Sequence, residues 1–98
     1  MSMSVRLTNH AKKRLKERSG LNKRSMYRIA ERAYNNGIGY EDTKGEVHRW
    51  LKTKCRTNRK LNNVRIYGDK LFLFRGECLI TVLQIPNSLK NKIYDQML

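Results

Sequence analysis

The stretch NVRIYGDKLFLFRGECLITVLQIP, residues 63–86, decides the fold. Apolar and polar residues alternate over 64–67, and two glycine-containing turns, at 68–70 and 75–77, separate the three apolar segments. Alternation of this kind is typical of strands, and short glycine-containing breaks are typical of hairpin turns. The stretch therefore predicts a three-stranded antiparallel meander that ends at Pro86. Its last strand is almost wholly apolar, which predicts a central strand or one covered on both sides.

Two helices are predicted upstream of this sheet, over residues 7–37. Thr8 or Asn9 is placed to cap the first helix, which runs to about Ser19 and ends at Gly20. The second helix starts between residues 22 and 25 and stops at Gly37, with one apolar stripe made by Met26, Ile29, Ala30, Ala33 and Tyr34. Together they form a helical hairpin.

A third helix is predicted over 43–60, and a short fourth helix over 87–98. Thr43 followed by Glu46 has the pattern of a capping box, whereas Gly45 in the first turn costs about 1 kcal/mol relative to alanine. The predicted fold class is α+β, with the hairpin and the third helix packed on one face of the three-stranded meander and a short C-terminal helix. Residues 1–98 form a single domain, and residues 3–6 are a candidate edge strand.

Positive charge is concentrated in the first part of the chain. Residues 1–60 hold 17 Lys/Arg against 5 Asp/Glu, or +12 of the net +14, and residues 61–98 hold 5 against 3, or +2. A strongly cationic half joined to a nearly neutral one is typical of a domain that contacts phosphates. The first candidate partner is therefore nucleic acid.

Composition also excludes several classes of protein. No apolar run approaches the roughly 18 residues that a membrane span needs, and residues 1–6 lack the pattern of a signal peptide. We therefore expect a cytoplasmic protein with no membrane partner. Cys55 and Cys78 are isolated from each other and from histidine pairs, so neither a disulfide framework nor a metal site is expected, and no cofactor motif is present.

The basic residues of the first two helices recur at four-residue steps, which places each set along one ridge. The first ridge is His10, Arg14 and Arg18, and the second is Arg24, Arg28 and Arg32. Like charges at this spacing repel unless an anion lies across them, and the guanidinium fork suits bidentate contact with phosphate. The candidate nucleic-acid-binding set is Arg14, Arg18, Arg24, Arg28 and Arg32, extended by Arg49, Lys52, Arg56, Arg59 and Lys60. The guanidinium groups of the first two helices are expected to share one exposed surface. Lys12, Lys13 and Lys16 are interpreted as ordinary solvated charge.

His10 is a candidate for catalysis. A histidine beside arginines is a workable arrangement for metal-free RNA cleavage, with the imidazole as base and the guanidinium groups stabilising the phosphorane. The alternative is a histidine near a helix N-terminus that only forms a structural hydrogen bond.

Three segments of the chain resemble known proteins. They are Leu7-Thr8-Asn9-His10-Ala11 with the following Arg14, Arg18 and Gly20-Leu21, then residues 65–70, and then residues 79–83. The chain resembles a group of small proteins of uncertain function carried by phages, plasmids and conjugative elements. It is more distantly similar to the RelE/ParE and colicin-type ribonuclease fold group. The resemblance implies a functional ridge of His10, Arg14 and Arg18, with Tyr67 and Thr81 facing it. The third basic helix departs from that pattern and favours binding over cleavage.

Three functions are left open, with DNA binding as a weaker fourth, because residues 8–37 could be mistaken for a helix-turn-helix but lack its clear spacing. The first is binding of structured RNA through the arginine ridges by a protein of a mobile genetic element. The second is a metal-independent ribonuclease or toxin that uses His10. The third, which the mobile-element resemblance implies, is an anti-CRISPR type of inhibitor that captures the guide RNA of a host defence nuclease or occupies the nuclease–RNA complex.

Overall fold

The computed structural model describes residues 5–57 and 63–97, without the side chains at 18, 19, 55–57 and 94–97. The helices are α1 (Asn9–Ser19), α2 (Lys23–Asn36), α3 (Gly45–Thr57) and α4 (Asn87–Met97). The strands are β1 (Arg6–Leu7), β2 (Ile38–Gly39), β3 (Asn63–Tyr67), β4 (Lys70–Arg75) and β5 (Cys78–Gln84), and a 3₁₀ turn spans Tyr40–Asp42. The α+β class is confirmed.

The sheet has five described strands in the order β1-β5-β4-β3-β2. The meander β3-β4-β5 is antiparallel as predicted, but the prediction of only three strands was wrong. β1 pairs with β5 in parallel, and β2 pairs with β3 in antiparallel. Both added strands are two residues long, so neither has room for the alternation that marks a strand in sequence. β1 overlaps the predicted edge segment 3–6 at Arg6 and ends at Leu7; residues 3 and 4 lie outside the described part.

Helices cover both faces of the sheet, which corrects the prediction of one covered face. Phe72 and Phe74 pack with α1 and α2 in one core cluster, whereas Leu71 and Leu73 pack with α3 and α4 in another. Successive side chains of a strand point to opposite faces, so four consecutive buried apolar residues in β4 require a cover on each side. Burying one such side chain contributes about 1.5–3 kcal/mol.

The start of α3 differs from the predicted capping box. The Thr43 hydroxyl donates to the Tyr40 carbonyl at 2.8 Å, and the helix begins two residues later, at Gly45. The Glu46 carboxylate forms an ion pair with Lys92 of α4. Gly45 has φ +64°, a left-handed conformation that side chains with a Cβ rarely adopt. Glycine is therefore required at this helix start by its backbone angle.

Candidate nucleic-acid interface

Helix α1 is fixed to β5 through Thr8. The Thr8 hydroxyl accepts from the Ala11 N–H at 3.1 Å and donates to the Ile80 carbonyl at 3.0 Å, while the Thr8 N–H donates to the Leu79 carbonyl. Gly20 closes the helix with φ 62°. Both predicted ends of α1 are confirmed, and Ala11 and Leu15 are fully buried against the sheet.

The two flanks of α1 carry different basic residues. Because successive helical residues are about 100° apart, His10 and Arg14 lie on one side of the buried Ala11 and Leu15, and Lys12 and Lys16 lie on the other. The Arg14 Nε donates to His10 Nε2 at 3.5 Å, and an Arg14 Nη lies 3.6 Å from the Glu17 carboxylate. The side chain of Arg18, the third member of the predicted ridge, lies outside the described residues.

Helix α2 presents its arginines to solvent. Its N-cap is Asn22, whose side chain accepts from the Ser25 N–H at 2.9 Å, and its core side is Met26, Ala30 and Ala33. Arg24 and Arg28 each lie two positions from a buried residue, about 200° around the axis. With Arg32 they form an exposed row along the outer side of α2, as predicted. We call Arg24, Arg28 and Arg32 the α2 arginine row.

An open groove of about 510 Å³ lies between α1 and the start of α2. Its lining includes four lysines and two apolar residues, in the set Lys12, Lys13, Lys16, Leu21, Asn22, Lys23 and Met26. We call it the lysine groove. The Lys12 Nζ also lies 5.7 Å from the centroid of the Tyr27 ring. The lysine-bearing flank of α1 therefore faces α2.

The arginines of α1 and α2 were predicted to share one exposed surface. The structure instead turns the His10–Arg14 flank of α1 away from α2 and brings lysines to the junction between the helices. The sequence did carry a signal for this groove. Lys12 and Lys16 are four residues apart, which places them on one ridge immediately beside the apolar stripe.

Charge in the α1–α2 layer is poorly neutralised. Residues 9–36 contain nine Lys/Arg against two Glu. Among the described side chains, Arg14 and Glu17 form the one ion pair in this layer. No described carboxylate lies within 4 Å of a cation of the α2 arginine row or of the lysine groove. Exposed cations held this close together favour an anionic partner.

The residues that the resemblance placed opposite α1 are not gathered around His10. Thr81 pairs with Leu73 of β4, and directly opposed residues share a sheet face, so Thr81 lies on the α3–α4 side. Tyr67 lies on the α1–α2 side, with its ring 6.5 Å from that of Phe72. Its neighbours across the sheet are Lys70 and then Gln84, at the end of β5 remote from Leu79, where α1 begins.

Helix α3 carries a separate basic surface. Arg49 and Lys52 are exposed on α3, which covers the sheet face opposite to α1 and α2. Trp50 is half-buried, and the Lys54 Nζ lies 5.8 Å from its ring centroid. Arg56 has no described side chain, and Arg59 and Lys60 lie outside the described residues. The predicted binding set is therefore divided between two sides of the molecule.

His48 is held within the protein. Its Nδ1 lies 3.2 Å from the Tyr40 carbonyl and 3.1 Å from the Thr43 hydroxyl, and its ring is 4.1 Å from that of Tyr40. Since the Thr43 hydroxyl already donates to Tyr40, the His48 Nδ1 supplies the hydrogen in its own contacts. His48 thus fastens the 3₁₀ turn to α3.

Over residues 5–57 and 63–97, no group of three or more His, Cys, Asp or Glu side chains is arranged to hold a metal ion. In the same part of the chain, every helix is too short or too polar to cross a membrane. No protein-family model matches the sequence, and no curated protein or solved structure is significantly similar to it.

Proposed function

We propose that this protein binds structured RNA through the surface formed by α1 and α2. The observation that carries the proposal is the run of cations from the lysine groove to the α2 arginine row, which have no carboxylate partner among the described side chains. Association with a polyanion would relieve the mutual repulsion of these cations and release counterions from the phosphates.

The arrangement of the helices favours RNA over a DNA duplex read by one helix. Both α1 and α2 pack on the same face of the sheet, so their cations form a broad surface rather than a single projecting recognition helix. Folded RNA is recognised largely through its shape, its backbone and its unpaired loops. A broad basic surface with a groove suits those features.

The test reverses charge on the α2 arginine row. Arg24→Glu with Arg28→Glu should weaken binding of a structured RNA by about tenfold or more, because two phosphate contacts become repulsive. Both side chains are exposed, so the thermal midpoint should change little. Binding is measured by fluorescence anisotropy at moderate salt.

The matched control reverses two exposed cations on the opposite sheet face, Arg49→Glu with Lys52→Glu. The net charge changes equally, so a much smaller loss than in the α2 variant is expected. Equal losses would show that affinity follows net charge and would overturn the α1–α2 surface. Unchanged RNA binding by the α2 variant would overturn it as well.

Cleavage at His10 is a second candidate function. The observation that favours it is the 3.5 Å contact of His10 Nε2 with Arg14, which sets a guanidinium beside the imidazole. Cleavage would persist in EDTA and disappear in His10→Ala, as measured on a labelled RNA by gel electrophoresis. RNA that stays intact with excess protein would exclude this function.

A further inference from the structure

The lysine groove differs from the surface around it because it has an apolar floor. Leu21 is half-buried and Met26 is 6% exposed, and both line the groove together with the four lysines. Phosphate contact alone needs no apolar surface. The combination predicts a ligand that is anionic on its outside and has a flat apolar part to insert.

The polar groups that line the groove can bind a nucleotide without fixing it in one orientation. Each lysine ammonium is a point charge on a flexible stem, so it follows a phosphate without demanding one orientation. The Asn22 Oδ1 is occupied by the Ser25 N–H, which leaves the amide NH₂ group as a donor. The groove has a volume of about 510 Å³ and is open to solvent, so a nucleotide could enter it without displacing any element of the fold.

We propose that the lysine groove holds one unpaired nucleotide of a bound RNA. Its base lies on Leu21 and Met26, and the flanking phosphates contact Lys12, Lys16 and Lys23. This inference rests on the proposed RNA binding. Bases within a paired helix are stacked inside it and present mainly backbone to a protein, whereas unpaired bases can turn outward onto a side-chain surface.

The experiment compares two RNAs by fluorescence anisotropy. One is a blunt 12-base-pair duplex, and the other is the same duplex with a single unpaired uridine in the middle of one strand. The two differ by one phosphate, so a purely electrostatic surface binds them almost equally. The groove predicts that the bulged RNA binds about fivefold or more tightly, since base–side-chain contact adds to the phosphate contacts.

Two variants test whether the preference for the bulged RNA arises at the lysine groove. Leu21→Ser should abolish the preference for the bulged RNA while leaving the affinity for the blunt duplex within about twofold, because it removes apolar floor and no charge. Leu83→Ser is the matched control, since Leu83 is half-buried against the other core cluster; it should keep the preference. Circular dichroism confirms that both variants are folded.

The outcomes separate the two proposals. Equal binding of both RNAs by the unmodified protein would overturn the nucleotide site and leave RNA binding standing. A preference that survives in Leu21→Ser, or that is lost equally in Leu83→Ser, would also overturn the site. Failure to bind either RNA would overturn both proposals.

Discussion

Thr8 joins a helix start to a distant strand through one hydroxyl group. The group accepts from the Ala11 N–H and donates to the Ile80 carbonyl, 72 residues along the chain. Thr8→Ala leaves both partners unsatisfied and should lower the free energy of unfolding by about 1–2 kcal/mol. Urea denaturation measures this change. Thr8→Ser retains the hydroxyl and should recover most of the loss; an alanine variant as stable as the parent would contradict the role of the hydroxyl.

Helix propensity and backbone conformation predict opposite effects for the substitution of Gly45 by alanine. Helix propensity predicts that Gly45→Ala stabilises the protein by about 1 kcal/mol. The left-handed backbone, with φ +64°, predicts instead a loss of roughly 1–2 kcal/mol, although the new Cβ would meet no atom within 4 Å. We expect destabilisation in thermal unfolding. Gly45→Asn should cost less, because asparagine tolerates this conformation better; a stabilised alanine variant would exclude the conformational argument.

Lys12, Lys13 and Lys16 show what an interpretation of single residues leaves out. Each lysine alone is typical of a solvated surface, and each was interpreted in that way. Their role as a groove lining depends on Leu21 and Met26, which the turn after Gly20 brings back beside α1. The direction of that return is a property of packing on the sheet, so no single residue predicts it.

An ion pair between Asp69 and Lys90 links the β3–β4 turn to α4. The Asp69 carboxylate accepts from Lys70 Nζ at 3.0 Å and lies 4.0 Å from Lys90 Nζ. The hydrogen bond from Lys70 is the largest cause that lowers the pKa of Asp69 below its ordinary 3.8. The folded protein therefore takes up this proton less readily than the unfolded chain.

This lowered pKa gives a contribution to stability that is present above about pH 4 and is lost as the pH falls through the folded-state value. Because the Asp69 side chain is half exposed, the contribution is only a few tenths of a kcal/mol. Asp69→Asn should flatten the acid limb of stability in urea titrations between pH 5 and pH 2.5. Glu77→Gln, in the next turn, is the control. An acid limb that is unchanged in Asp69→Asn would contradict the assignment.

Elements with local signals were predictable from sequence. Thr8 and Gly20 marked the two ends of α1, and the two turns marked the meander, whereas the start of α2 was predicted only to within residues 22–25 and the structure places its cap at Asn22. β2 was not predicted and β1 was predicted only approximately, because a strand of two residues has no sequence pattern of its own and is recognised by its pairing with a neighbouring strand. The sequence did contain a sign that helices cover both sheet faces, in the four consecutive apolar residues Leu71–Phe74. In a strand with one solvated face, apolar and polar residues would alternate.

At the scale of the whole molecule, binding should depend steeply on salt. The lysine groove and the α2 arginine row together offer seven cations, Lys12, Lys13, Lys16, Lys23, Arg24, Arg28 and Arg32. Full engagement predicts a slope of log affinity against log salt of roughly −5 to −6, which the Arg24→Glu, Arg28→Glu variant reduces by about 2. Anisotropy titrations between 50 and 300 mM salt measure the slope. A value shallower than about −2 would show that these cations do not carry the binding.

The parallel pairing of β1 with β5 sets an order for folding during synthesis. Leu7 lies opposite Leu79, so β1 cannot complete its backbone hydrogen bonds until β5, the last of the described strands, has been made. Closing a loop of this length is entropically costly and slow compared with forming a helix or a hairpin. On the ribosome, α1 and α2 therefore emerge as a basic hairpin whose apolar side stays at least partly uncovered until β4 and then β5 arrive. Premature termination before residue 78 would leave that side exposed, and such fragments should aggregate or be degraded.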